Sequence, residues 1–154
     1  MSKDRSVEPI TFELILPVLE KYIAIPRRVV EIIAKRANYP QEEIEEVKIA
    51  LGEAVLNVIQ HAYKNSKNTF GYKVFRVRYL VYLKRLVIVV KHYGKGFDPH
   101  FAMDYVRREK AEETEGIGWG LFLIKALMDE VEIDSTIGAG TEVRMTKYLK
   151  NKNE

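Results

Sequence analysis

No cysteine occurs anywhere in the 154-residue chain. Its absence excludes disulfides and thiolate metal centres and fits a reducing compartment. An excess of one charge is missing too, since 25 Lys and Arg stand against 22 Asp and Glu for a net +3. That balance is too mild for a nucleic-acid binder, and the basic residues form no long block. The longest unbroken apolar run, Leu86 to Val90, falls far short of the roughly 20 residues a membrane span needs. The opening MSKDRSVEP has no apolar h-region and is not read as a secretory signal. Repeats and low-complexity tracts are absent. The expectation is a cytoplasmic protein of one domain, residues 1–154, with no direct contact to nucleic acid or membrane. A hydrophobic content of 47% suffices for a core without staples.

What is present divides by period. Residues 1–25 contain a strand of uncertain limits around ITFELILP. Pro26 opens a helix, PRRVVEIIAKRANY, with Val29, Val30, Ile33 and Ala37 on one face. A second helix starts near Pro40, its early glutamates placed against the positive end. Ile44, Val47, Leu51, Val55, Val58 and Ala62 make its apolar stripe. From Thr69 the period becomes two, with Phe75, Val77, Tyr79, Val81 and Leu83 on one strand face. Lys84 and Arg85 turn the chain, and Leu86 to Lys91 return as a buried strand. Residues 97–117 are polar and aperiodic, a long loop of the kind that usually carries function. A glycine-started helix and a final hairpin complete the order β-α-α-β-β-loop-α-β-β. That order predicts an α+β two-layer sandwich, a mixed and mostly antiparallel sheet with helices on one face.

Four short constellations carry possible chemistry. Glu53, Asn57 and His61 recur every fourth residue of the second helix and form one slowly drifting polar stripe away from Leu51, Val55 and Val58. Such a stripe is either a solvated face or a hard-cation site. An asparagine oxygen with phosphate oxygens and waters suits Mg²⁺, and a glutamate one turn earlier can take a proton from a hydroxyl. Gly94 and Gly96 follow a strand, as in a hairpin or where backbone approaches a flat ligand. Gly116, Gly118 and Gly120 start a helix whose free amides form an anion site, or simply pack tightly. GAGTEV, Gly138 to Val143, is by itself a turn.

Together, EAVLNVIQHAY, GKGFDP and GWGLFLIKALMDEVEI resemble the Bergerat (GHKL) ATP-binding fold, and within it the anti-sigma-factor serine/threonine kinases. The resemblance runs from about Pro26 to the last strand. It implies that ATP and Mg²⁺ are bound, with Asn57 holding the metal and Glu53 acting as general base toward a serine or threonine. It implies that His61 lies near the phosphates or the lid formed by residues 97–117. Gly94 and Gly96 would line the adenine pocket, Thr141 would bring a hydroxyl near the base, the Gly118 and Gly120 amides would receive the phosphates, and Gly116 and Leu121 would belong to the same cofactor site. In the lid, Arg107, Arg108 and Lys110 are available to phosphate charge. The implied partners are a sigma factor, a small antagonist protein of the anti-sigma factor, and a second copy of this chain through residues 1–25 or the first helix.

His92 breaks the family pattern. The family's Asp-x-Gly-x-Gly aspartate accepts from the adenine amino group, and here that position holds histidine. A neutral imidazole keeps one acceptor nitrogen, and a protonated one keeps none. Losing a charge-assisted bond to a ligand costs roughly 1.5–3 kcal/mol, so ATP binding is expected to be weakened and to strengthen from pH 6 to pH 8. Two readings follow: an ATP-dependent kinase with altered adenine recognition, or a non-catalytic regulatory module whose nucleotide pocket has drifted.

Overall fold

A computed structural model describes residues 7–62, 73–93, 117–136 and 140–150. Its strands are β1 (Ile10–Pro17), β2 (Val74–Val81), β3 (Arg85–His92), β4 (Glu130–Thr136) and β5 (Gly140–Tyr148). Its helices are α1 (Ala24–Arg36), α2 (Gln41–Asn57) and α3 (Ile117–Leu127). A 3₁₀ turn, Glu20–Tyr22, precedes α1, and a π-helical turn, Val58–Ala62, continues α2. The sheet runs β1-β2-β3-β5-β4 with every pairing antiparallel. The expected α+β sandwich with a mostly antiparallel sheet is present, and among the described residues each of the four strand pairings is antiparallel.

β3 lies at the centre, and its sequence says why. Leu86, Val87, Ile88, Val89 and Val90 are all buried, so an apolar run without alternation fits a strand covered on both sides. Leu86, Ile88 and Val90 face the helices with Val77, Tyr79 and Met145, whereas Val87 and Val89 join Leu80 in a small cluster on the other face. Leu83 stands 81% exposed in the β2–β3 turn. The alternating pattern ends at Val81, since the turn interrupts the pleat before Leu83 can reach the core.

The α2 stripe packs as its spacing predicts, with Ile44, Val47, Leu51, Val55 and Val58 buried beside Ala50 and Ala54. The side chain of Ala62 lies outside the described residues. α1 buries Val30, Ile33 and Ala34. It ends at Asn38, whose φ of 68° is the left-handed conformation that closes helices. Turning there, the chain sends Tyr39 under the sheet, where its hydroxyl donates to the Lys147 carbonyl at 2.8 Å.

One end of the sandwich is pinned by charge. The Lys147 side chain is 5% exposed and donates to Glu46 Oε2 at 2.7 Å and to the Leu127 carbonyl at 2.6 Å. A single ammonium thus ties the early part of α2 and the C-terminus of α3 to β5, where cations suit the negative helix end. Lys147 is paired with Leu86 across the sheet, at the opposite end of β3 from His92.

Candidate nucleotide site at the far end of the sandwich

From the Lys147 anchor the helices lead to one place. Between Glu46 and Asn57, α2 rises about 16 Å, and between Leu127 and Gly120, α3 travels about 10 Å the same way. Along β5, Lys147 to Thr141 spans roughly 20 Å. Asn57, Gly120, His92 and Thr141 therefore gather at the end opposite Lys147.

Asn57 and Gly120 are in direct apposition. A Cβ placed on Gly120 would stand 2.8 Å from Asn57 Nδ2 and 3.0 Å from Oδ1. Any side chain there would occupy the carboxamide's place, so glycine is what lets the end of α2 close on the first turns of α3. Glu53 lies one turn before Asn57, and both are half-buried at the edge of the helix while Ala54 and Val55 fill the core. The Arg27 stem crosses α2 beside them, its Cδ 3.2 Å from a Cβ built on Gly52.

After Asn57 the stripe does not continue as expected. The π turn over Val58–Ala62 has a wider winding than the α-helix, so His61 falls out of the i, i+4 register with Glu53 and Asn57. The side chain of His61 lies outside the described residues. So do Gly94, Gly96, Gly116 and the charged residues Arg107, Arg108 and Lys110. Gly118 is in the first turn of α3. Leu121 is completely buried in the core, because the helix turns that position inward. What it could offer a ligand is its backbone amide rather than its side chain.

On the sheet, His92 is cross-strand partner to both Phe75 and Thr141, on the face that the helices cover. It is 6% exposed, and burial pushes its imidazole down to about 4. The ring is therefore neutral at pH 6 as well as at pH 8, which moves the expected pH dependence of nucleotide binding below that range. Thr141, 4% exposed, has its hydroxyl 2.7 Å from that of Ser135 on the edge strand. Gly140 has φ +107° and would put a Cβ 2.2 Å from the His92 carbonyl oxygen. Only glycine allows β5 to begin this close to the end of β3. Gly140 was read from the sequence only as part of a turn, and Ser135 was not singled out; the run DSTIGAGT marks the turn without saying what lies against it.

The residues present suit a nucleotide with its metal. Among the described residues no group of three or more His, Asp or Glu could cage an ion. A lone asparagine oxygen facing a helix N-terminus instead suits Mg²⁺ that takes its other ligands from phosphates and water. Gly120 would allow the close approach, and the α3 amides would offer the anion site.

The family described as histidine kinase-like ATPase domain matches residues 16–147. The chain belongs to that family. Within it, the chain groups with serine-protein kinases named RsbW. It is 37% identical to the one from Bacillus pumilus and 34% identical to the one from Bacillus subtilis, each over 91% of this chain and 86% of the relative. The RsbW of Listeria monocytogenes is 36% identical over 89% of this chain and 86% of its own length. Among solved structures, the RsbU and RsbW domains of a Mycobacterium tuberculosis protein share the fold, with a TM-score of 0.64 at 15% identity. That match covers 92% of this chain and 33% of the other.

Proposed function

We propose that this chain is an ATP-dependent serine/threonine protein kinase of the anti-sigma-factor type. It would phosphorylate a small antagonist protein and hold a sigma factor. The apposition of Asn57 to Gly120 carries the reading, because it sets the Asn57 carboxamide, whose oxygen would hold the metal, against the first turns of α3. Kinship to RsbW serine-protein kinases over most of the chain supplies the reaction class.

When bound, Mg-ATP supplies the phosphoryl group and the charge neutralisation that its transfer requires. Asn57 would hold the metal, and the α3 amides at Gly118 and Gly120 would hold phosphate oxygens. Glu53, one turn earlier, would take the proton from the attacking hydroxyl as general base. His92 and Thr141 would face the base. The alternative of a non-catalytic module is not favoured: Glu53 and Asn57 both stand at the half-buried edge of α2, beside the glycine that a closed site needs.

A second copy of the chain would pair through β1. That strand has one neighbour in the sheet, β2, and exposes Ile10, Phe12 and Ile15. An apolar edge strand is a template for another strand. No helix among the described residues is long and apolar enough to cross a membrane. A cytoplasmic location would suit these partners.

The test is phosphoryl transfer from labelled ATP to a serine-bearing antagonist protein. Native protein should label it, and Glu53→Gln should slow labelling by roughly 10²–10⁴-fold while Mg-ADP still binds. Equal rates for the two proteins would remove Glu53 from the chemistry.

A further inference from the structure

The ridge of α2 that carries Glu53 also carries apolar side chains. α2 turns Ile44, Val47, Leu51, Ala54 and Val55 into the core. At about 100° per residue, Ile49, Glu53 and Leu56 come out on the opposite side. Ile49 is 45% exposed and Leu56 is half-buried. Elsewhere that side is polar, with Glu42, Glu45 and Gln60 exposed. A single exposed isoleucine needs no explanation. This one stands one turn, about 6 Å, before Glu53, and Leu56 stands nearly one turn after it.

α3 continues the surface. Leu121 and Ile124 face the core, which leaves Trp119 and Phe122 on the outer side of that helix. Their rings stack, with centroids 5.4 Å apart and planes at 14°. Phe122 is 43% exposed and Trp119 half-buried. Trp119 precedes Gly120, which meets Asn57, and Asn57 lies one turn after Glu53. The stack holds the indole in place beforehand, so little rotamer freedom remains to be lost on binding.

A protein substrate has to cover these groups. Its hydroxyl must come within about 3 Å of Glu53 to give up a proton. A specific interface of roughly 800 Å² per partner reaches about 16 Å from its centre. Centred on Glu53, that footprint takes in Ile49, Leu56 and Trp119.

Resting on the kinase reading above, we propose that the outer face of α2 and α3 around Glu53 is the docking surface for the phosphoacceptor protein, and that it takes a partner with apolar side chains beside its phosphorylatable serine. Ile49 and the Trp119–Phe122 pair are its anchors. Ile49 sets affinity for the acceptor and takes no part in the transfer.

The test is labelling kinetics with the serine-bearing antagonist protein, run on Ile49→Ala, Ile49→Leu and Leu83→Ala. Ile49→Ala should raise KM for the antagonist about tenfold, with kcat and Mg-ADP affinity within about twofold of native, as when binding is lost equally from ground and transition states. Ile49→Leu should keep KM near the native value. Leu83, also apolar and 81% exposed but in the β2–β3 turn, is the control, and its truncation should change nothing. The emission of Trp119, the chain's single tryptophan, should shift as the antagonist saturates the protein, once the antagonist's own emission is subtracted. Native KM in Ile49→Ala, a KM raised as much by Leu83→Ala, or Trp119 emission indifferent to saturating antagonist overturns the inference and leaves the kinase reading standing. If the native protein labels no antagonist, the kinase reading falls and this inference with it.

Discussion

The two ends of the sandwich are built by opposite rules. At the Lys147 end, a buried charge is met by fixed partners, Glu46 and the Leu127 carbonyl, and Tyr39 caps the strand from beneath. At the other end the chain places glycines, a carboxamide, a neutral imidazole and a pair of hydroxyls. The first end holds α2 and α3 in a set relation to the sheet. The second uses that relation to bring Asn57 against Gly120. A phosphate site between the two helices would need their separation held closely, and an anchor at the far end would do so without crowding a ligand.

This comparison can be broken from the anchored side first. Lys147→Met should destabilise the fold by about 2–4 kcal/mol, since Glu46 loses its cation and the half-buried Leu127 carbonyl loses its donor. Urea unfolding measures this. A change below about 0.5 kcal/mol would mean that the ion pair is no anchor.

Acidification tests the site end without mutation. His92 has its folded pKa lowered from 6.5 to about 4 by burial, so the unfolded chain binds the proton more readily. Its contribution to stability is complete above about pH 6.5 and is lost as the pH falls toward 4. Within that window unfolding free energy should drop by up to about 1.4 kcal/mol per pH unit from this group, and the drop should vanish in His92→Asn. Nucleotide affinity should stay level between pH 6 and pH 8.

The smallest effect is the most discriminating. Gly120→Ala removes a helical glycine, worth roughly 0.5–1 kcal/mol in favour of the helix, but its methyl group displaces the Asn57 carboxamide. Thermal stability should change little while Mg-ADP affinity falls about tenfold, or about 1.4 kcal/mol. A parallel loss of both would make Gly120 a packing residue only.

Much of this architecture was legible in the sequence because it rests on local pattern. The central strand announced itself through a run without polar alternation, α2 through its apolar spacing, and the last hairpin through its glycines. Glu53 and Asn57 were legible because four-residue spacing keeps them on one edge of a helix. Legibility failed where geometry depends on partners distant in the chain. Nothing in TKYL predicts that Lys147 is buried, since Glu46 and the Leu127 carbonyl that make burial tolerable arrive through the fold. The π turn that shifts His61, the inward aim of Leu121 and the low pKa of His92 are likewise consequences of packing. Leu83 misled because an alternating pattern does not show where a turn will cut it.

The central claim is that α2 and α3 meet in order to hold a nucleotide's metal-bound phosphates, and Asn57 tests it most directly. Calorimetry with Mg-ADP should show saturable binding to the native chain and at least about tenfold weaker binding to Asn57→Ala, whose unfolding free energy stays within about 1 kcal/mol of native. Equal affinity in the two proteins would contradict the account, because the contact at Gly120 would then be packing with no ligand to serve.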